Sequence, residues 1–82
     1  LRAQIGTITF QIIQELVDEI IPVSEEAIID SMRMIWERLK IMVEPSSSIV
    51  LGALLGKKGL FNNKKVGLIL SGGNVDLDNI PW

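Results

Sequence analysis

The run Val66-Gly67-Leu68-Ile69-Leu70 contains no polar side chain, so a strand formed there would be apolar on both faces. Such a strand is stable only between covering layers, as parallel strands beneath helices are. This predicts an α/β fold in which helices flank a mostly parallel sheet. A chain of 82 residues is too short to divide into two domains that each bury a core. Its few predicted strands and helices also cannot cover one another's faces in the way that run demands. Residues 1–82 therefore read as a single partial domain, and the opening Leu1-Arg2-Ala3 reads like the interior of a longer sequence.

Composition removes several function classes. With no cysteine there is no disulfide framework and no thiolate metal site, and with no histidine there is no imidazole acid/base chemistry. Eight basic against ten acidic side chains give no cationic field for a nucleic-acid backbone, so nucleic acid is not an expected partner. Apolar runs such as Ile41–Val43 and Val66–Leu70 fall far below the roughly 18 to 20 residues that a bilayer span needs. No membrane segment is expected, and the composition is of a cytoplasmic type. Any chemistry must use carboxylates, lysines, hydroxyls or backbone groups.

Helix signals stand in three places. Phe10, Ile13 and Val17, flanked by Ile8, Ile12 and Leu16, give a broad apolar face over about Thr7 to Val17. The β-branched run Ile20–Val23 follows, and Pro22 confines it to a strand end or sheet edge. Ser24-Glu25-Glu26 reads as a helix start: the serine oxygen caps free N–H groups, and the two carboxylates complement the positive end of the dipole. Ile28, Met32, Ile35, Leu39 and Met42 then repeat at steps of four and three, which predicts a helix that runs until Pro45 stops it near Glu44. Pro45 suits the first turn of a third helix to about Leu55, closed by Gly56 in a left-handed conformation. Gly52 and Ala53 would let that helix lie close to a neighbour. From Gly56 to Lys65 the lysines and asparagines mark a surface loop.

The apolar run ends in Ser71-Gly72-Gly73-Asn74. In open α/β sheets ligands gather at the carboxyl ends of strands, and adjacent glycines allow backbone donors to approach a ligand with no Cβ between. The same tetrapeptide also suits a simple tight exit turn, with Ser71 satisfying a local backbone group. A second candidate, Gly52 to Lys58, has the glycines one residue too close for a phosphate loop and lacks the hydroxyl that would hold Mg²⁺.

Glu44-Pro45-Ser46, a helix rich in small residues, and then Val66–Leu70 leading into Ser71-Gly72-Gly73-Asn74-Val75-Asp76-Leu77 together resemble the end of the serine racemases and related serine/threonine dehydratases. The stretches Leu1–Gly6, Leu16–Ile20 and Trp36–Lys40 resemble the same family, so the likeness covers nearly the whole chain. It implies the C-terminal part of the large domain of a fold type II, tryptophan-synthase-β-like enzyme using pyridoxal phosphate. The implied activity is racemisation of serine and its dehydration to pyruvate and ammonia. A threonine/serine dehydratase of the same fold is the nearest alternative, and a helix-docking interaction module with no cofactor is the alternative from another class.

Carried over by position, the resemblance implies that the Ser71 hydroxyl hydrogen-bonds the cofactor's pyridine nitrogen. Gly72 and Gly73 then leave room for the ring, and Glu44 stands near that end of the pocket. A neutral hydroxyl does not force the ring nitrogen to stay protonated, which makes the ring a milder electron sink. Lys40 and Asn74 match positions that contact an activating ATP at a subunit interface in animal-type serine racemases. Each residue also has a structural reading: Glu44 as a helix cap, Lys40 as a solvated cation complementing a helix C-terminus, Asn74 as a turn residue, and Trp36 with the methionines as core. The family also implies an amino-acid substrate (serine or threonine), a homodimer, and a magnesium ion held by carboxylates. The cofactor-linking lysine, the opposing serine, the phosphate loop and the metal site all belong to earlier sequence in the family. Hence no catalytic and no metal-binding residue is expected among these 82, and the segment alone is expected to be inactive.

Overall fold

The computed structural model describes residues 5–82, so the resemblance carried by Leu1–Gly6 lies mostly outside the described residues. Three α-helices, α1 (Thr7–Leu16), α2 (Glu25–Leu39) and α3 (Pro45–Gly56), are followed by a single 3-10 turn at Lys58–Phe61. α2 starts as its sequence predicts: the Ala27 amide donates to Ser24 Oγ at 3.2 Å, with Glu25 and Glu26 in the first turn. Pro45 occupies the first turn of α3, where its missing N–H costs nothing.

α2 and α3 pack against each other, and Gly52 makes this possible. A Cβ on Gly52 would come within 2.9 Å of Val23 Cγ1 and 3.4 Å of Ser31 Oγ, so the two helices meet through a position that only hydrogen can occupy without adjustment. The contact also carries a buried polar tie, with the Ser48 hydroxyl directed at the Ile28 carbonyl (3.0 Å) across the interface and at the Pro45 carbonyl (2.9 Å) in its own turn. Below it lies a small core of Met32, Ile35 and Val43, with Trp36, Leu51, Leu70 and Val75 around it. Fully burying each of the three central side chains contributes on the order of 1.5–3 kcal/mol.

The structure departs from expectation at three points. α2 ends at Leu39, and Lys40 takes a left-handed conformation (φ 58°) that reverses the chain, so Met42 leaves the helical stripe. Val43 takes its place in the core at 2% exposure, because the reversal brings the chain back beneath Met32 and Ile35. Gly56 is the last residue of α3 and is not left-handed. Lys57 caps the helix, donating its amide to the Ala53 carbonyl at 3.1 Å.

The third departure concerns the sheet. Neither Ile20–Val23 nor Val66–Leu70 is paired as a strand among the described residues. Ile69 is 80% exposed in the run expected to be buried on both faces. The reason is physical: a parallel strand needs neighbours to take its N–H and C=O groups, and these residues supply none. α1 likewise packs on no other helix among the described residues, and Ile8, Ile12 and Leu16 stand exposed along its length.

Candidate functional site

Two segments almost thirty positions apart in sequence meet beneath the α2–α3 core, and their meeting defines the site. The first is Met42-Val43-Glu44, which follows the chain reversal at Lys40 and leads into α3. The second is the Ser71–Asn74 turn. The turn is anchored at both ends, since Leu70 before it and Val75 after it both pack against the Met32–Ile35–Val43 core. Between these anchors the contacts are main-chain. The Glu44 amide donates to the Gly72 carbonyl at 3.1 Å. A Cβ on Gly73 would lie 2.5 Å from the Met42 carbonyl oxygen, so only glycine permits this approach of two backbones.

Glu44 does two things here. Its carbonyl accepts the Ser47 and Ser48 amides (3.0 and 3.1 Å), opening α3, while its side chain makes no capping hydrogen bond. The carboxylate instead lies against Gly72, where a Cβ would overlap it. Glu44, Gly72 and Gly73 are thus brought together, with Ser71 beside them and exposed. Lys40 and Asn74 are exposed as well. Lys40 lines an open cleft of about 270 Å³ with Trp36, Ile41 and Met42.

Sequence reasoning missed the support beneath this cluster. Trp36 donates its indole N–H to the Val43 carbonyl at 2.9 Å. Trp82 meets the Trp36 ring edge-on, with centroids 5.1 Å apart and planes at 87°, and the Arg33 guanidinium lies 5.9 Å from the centre of the Trp82 ring. The turn that carries the chain back to Trp82 is closed by the Asp78 amide donating to Asp76 Oδ1 and the Asn79 amide donating to the Asp76 carbonyl. Arg33 also donates to Glu37 Oε1 at 2.8 Å, and that hydrogen bond holds the Glu37 carboxyl below its ordinary range. The apolar triplet Ile41–Val43 carried a signal that one member would be buried. A tryptophan bonded to a main-chain carbonyl leaves no such signal.

Comparison with known proteins places the chain as a whole. Residues 1–72 match the family of pyridoxal-phosphate dependent enzymes, and the chain belongs to that family. It is 48% identical over 82 residues to a serine racemase of Dictyostelium discoideum, covering 98% of this chain and 25% of that protein. Over 75 residues it is 43% identical to a β-hydroxyaspartate dehydratase of Paracoccus denitrificans (92% of this chain, 24% of the relative). The crystal structure of a pyridoxal 5'-phosphate-dependent aspartate racemase superposes with a TM-score of 0.87 at 36% identity, covering 96% of this chain and 26% of that one. The chain therefore has the fold of the corresponding part of fold type II enzymes. It spans about a quarter of the length of the curated relatives it matches.

Proposed function

We propose that the chain is the C-terminal segment of the large domain of a pyridoxal-phosphate-dependent serine racemase that also dehydrates serine to pyruvate and ammonia. The observation that carries this reading is the clamped turn. Ser71 offers an exposed neutral hydroxyl at a backbone held by the Glu44–Gly72 hydrogen bond and by Leu70 and Val75. A fixed hydroxyl of this kind has the donor chemistry that a pyridine nitrogen accepts. The residues present therefore suit the cofactor: Ser71 would bond the ring nitrogen, Gly72 and Gly73 would keep side chains out of the ring's space, and Glu44 would border it. When bound, the cofactor supplies an electron sink for the α-carbon of the amino acid. Ser71 moderates that sink because a hydroxyl, unlike a carboxylate, does not hold the ring nitrogen protonated.

In this reading residues 1–82 are one partial domain, and the exposed run Val66–Leu70 joins a mostly parallel sheet whose other strands come from the rest of the protein. Lys40 and Asn74 are proposed as nucleotide contacts for ATP, alongside a magnesium ion bound elsewhere, in a cytoplasmic homodimer acting on serine and threonine. None of the described helices is long and apolar enough to cross a membrane. The likeness to a β-hydroxyaspartate dehydratase favours, as a second reading, a dehydratase for a β-hydroxy amino acid at the same site.

Ser71→Ala in the full-length protein tests the site. The loss of one hydrogen bond to the cofactor should lower turnover of L-serine, or the affinity for pyridoxal phosphate, by about tenfold with the fold kept. D-serine and pyruvate would be measured together with the cofactor's absorption spectrum. Unchanged kinetics with an unchanged spectrum would rule out the assigned role.

A further inference from the structure

Trp36 is half-buried beside the core, and its ring alone would account for a packing role. Its indole N–H does something more specific. In an extended backbone the carbonyl of one residue and the amide two residues on point to the same side, and the carbonyl between them points away. Met42-Val43-Glu44 follows this pattern: the Met42 carbonyl and Glu44 amide face Gly73 and Gly72, and the Val43 carbonyl faces Trp36. The segment is therefore gripped from both sides at the main chain, by the turn on one and by the indole on the other. Nothing regular holds it otherwise, since it lies outside any helix and follows a left-handed Lys40.

We propose that Trp36 is a positioning residue for the cofactor turn, acting through the Val43 carbonyl to set the height at which the Glu44 amide and Met42 carbonyl present themselves to Gly72 and Gly73. Trp82 braces Trp36 from the edge, and Arg33 lies over Trp82. The inference rests on the reading of the turn as a pyridoxal-phosphate site and adds a residue that does not touch the cofactor. Trp36→Phe keeps an aromatic ring in the core while removing the donor and one ring of the indole. The Val43 carbonyl then loses its partner, and the Met42–Glu44 segment is free to shift against the turn.

The test uses the full-length protein, stripped of cofactor and titrated with pyridoxal phosphate. Trp36→Phe is expected to weaken binding about fivefold, the scale of one ordinary hydrogen bond, and to shift the bound cofactor's absorption. Trp82→Ala, which removes the brace at a 41% exposed position, is expected to weaken binding by about twofold and gives a folded variant if Trp36→Phe is unstable. Ile35→Val serves as the comparison, because it loosens the same core without touching the hydrogen bond. If Ile35→Val weakens cofactor binding as much per degree of Tm lost, or if Trp36→Phe leaves affinity and spectrum unchanged, the positioning role is overturned. Ser71→Ala separates the two levels. A response to Ser71→Ala without one to Trp36→Phe overturns the positioning role alone, and no response to either overturns the site reading with it.

Discussion

Gly72 and Gly73 look interchangeable as letters but stand in different surroundings. A methyl group on Gly72 would meet the end of the Glu44 side chain, which can rotate away, whereas one on Gly73 would meet the Met42 main-chain carbonyl, which cannot. Gly73→Ala should therefore lower the stability of the full-length protein by about 1–3 kcal/mol, the range for overpacked sites, and Gly72→Ala by distinctly less. Chemical denaturation of the two variants side by side would decide it, and equal losses would mean that the Met42 carbonyl gives way. At this scale the sequence singled out residues that the folded chain brings together. Glu44, Ser71, Gly72 and Gly73 were all marked by motif, and Glu44, Gly72 and Gly73 fall together with Ser71 alongside. It marked Trp36 as core but was silent on its hydrogen bond, because a side-chain bond to a backbone carbonyl depends on where the chain returns, and the left-handed Lys40 that directs the return has no strong letter signature.

Among the elements, α2 is the one whose sequence and structure agree most closely at its start, where capping serine, acidic first turn and apolar stripe point the same way. Its end was misplaced because Met42 extends the helical spacing by coincidence, and spacing alone cannot tell a continuing helix from a chain that turns and buries the next apolar residue. α2 also carries a shift in ionisation. The Arg33 hydrogen bond lowers the Glu37 carboxyl below its ordinary 4.5, so the folded chain holds the ionised form more tightly than the unfolded chain does. The resulting stabilisation is complete above that ordinary value and disappears as the pH falls through the lowered folded value. Because both side chains of the pair are exposed, the effect should be small and should weaken further with salt. Denaturation midpoints of the parent and Glu37→Gln should differ slightly near neutral pH and converge in acid. A gap that persists or widens in acid would contradict the assignment.

At the scale of the whole chain, the burial expected from the sequence is not what the described residues show. The apolar run Val66–Leu70 was expected to be covered on both faces, yet Ile69 lies 80% exposed, and α1 shows its apolar side chains to solvent with Ile8 at 74% and Leu16 at 75%. Sequence pattern reports that a surface needs covering but not which residues cover it, and the described residues supply no covering layer for these two faces. The 82-residue chain made alone should therefore bind a hydrophobic dye strongly, unfold without a sharp transition and show no turnover of serine. A sharp thermal transition with little dye binding would mean that the α2–α3 pair suffices as a folding unit.

The main-chain character of the Met42–Glu44 junction has one more consequence. Since the Met42 carbonyl and Glu44 amide make the contact with the turn, the side chain of Met42, half in solvent, is left out of the arrangement. Exchange of that residue for others of extended habit should therefore cost little, whereas a side chain at the glycine facing it should not be accommodated. Variation at position 42 and invariance at position 73 is the pattern that such a contact would leave among descendants.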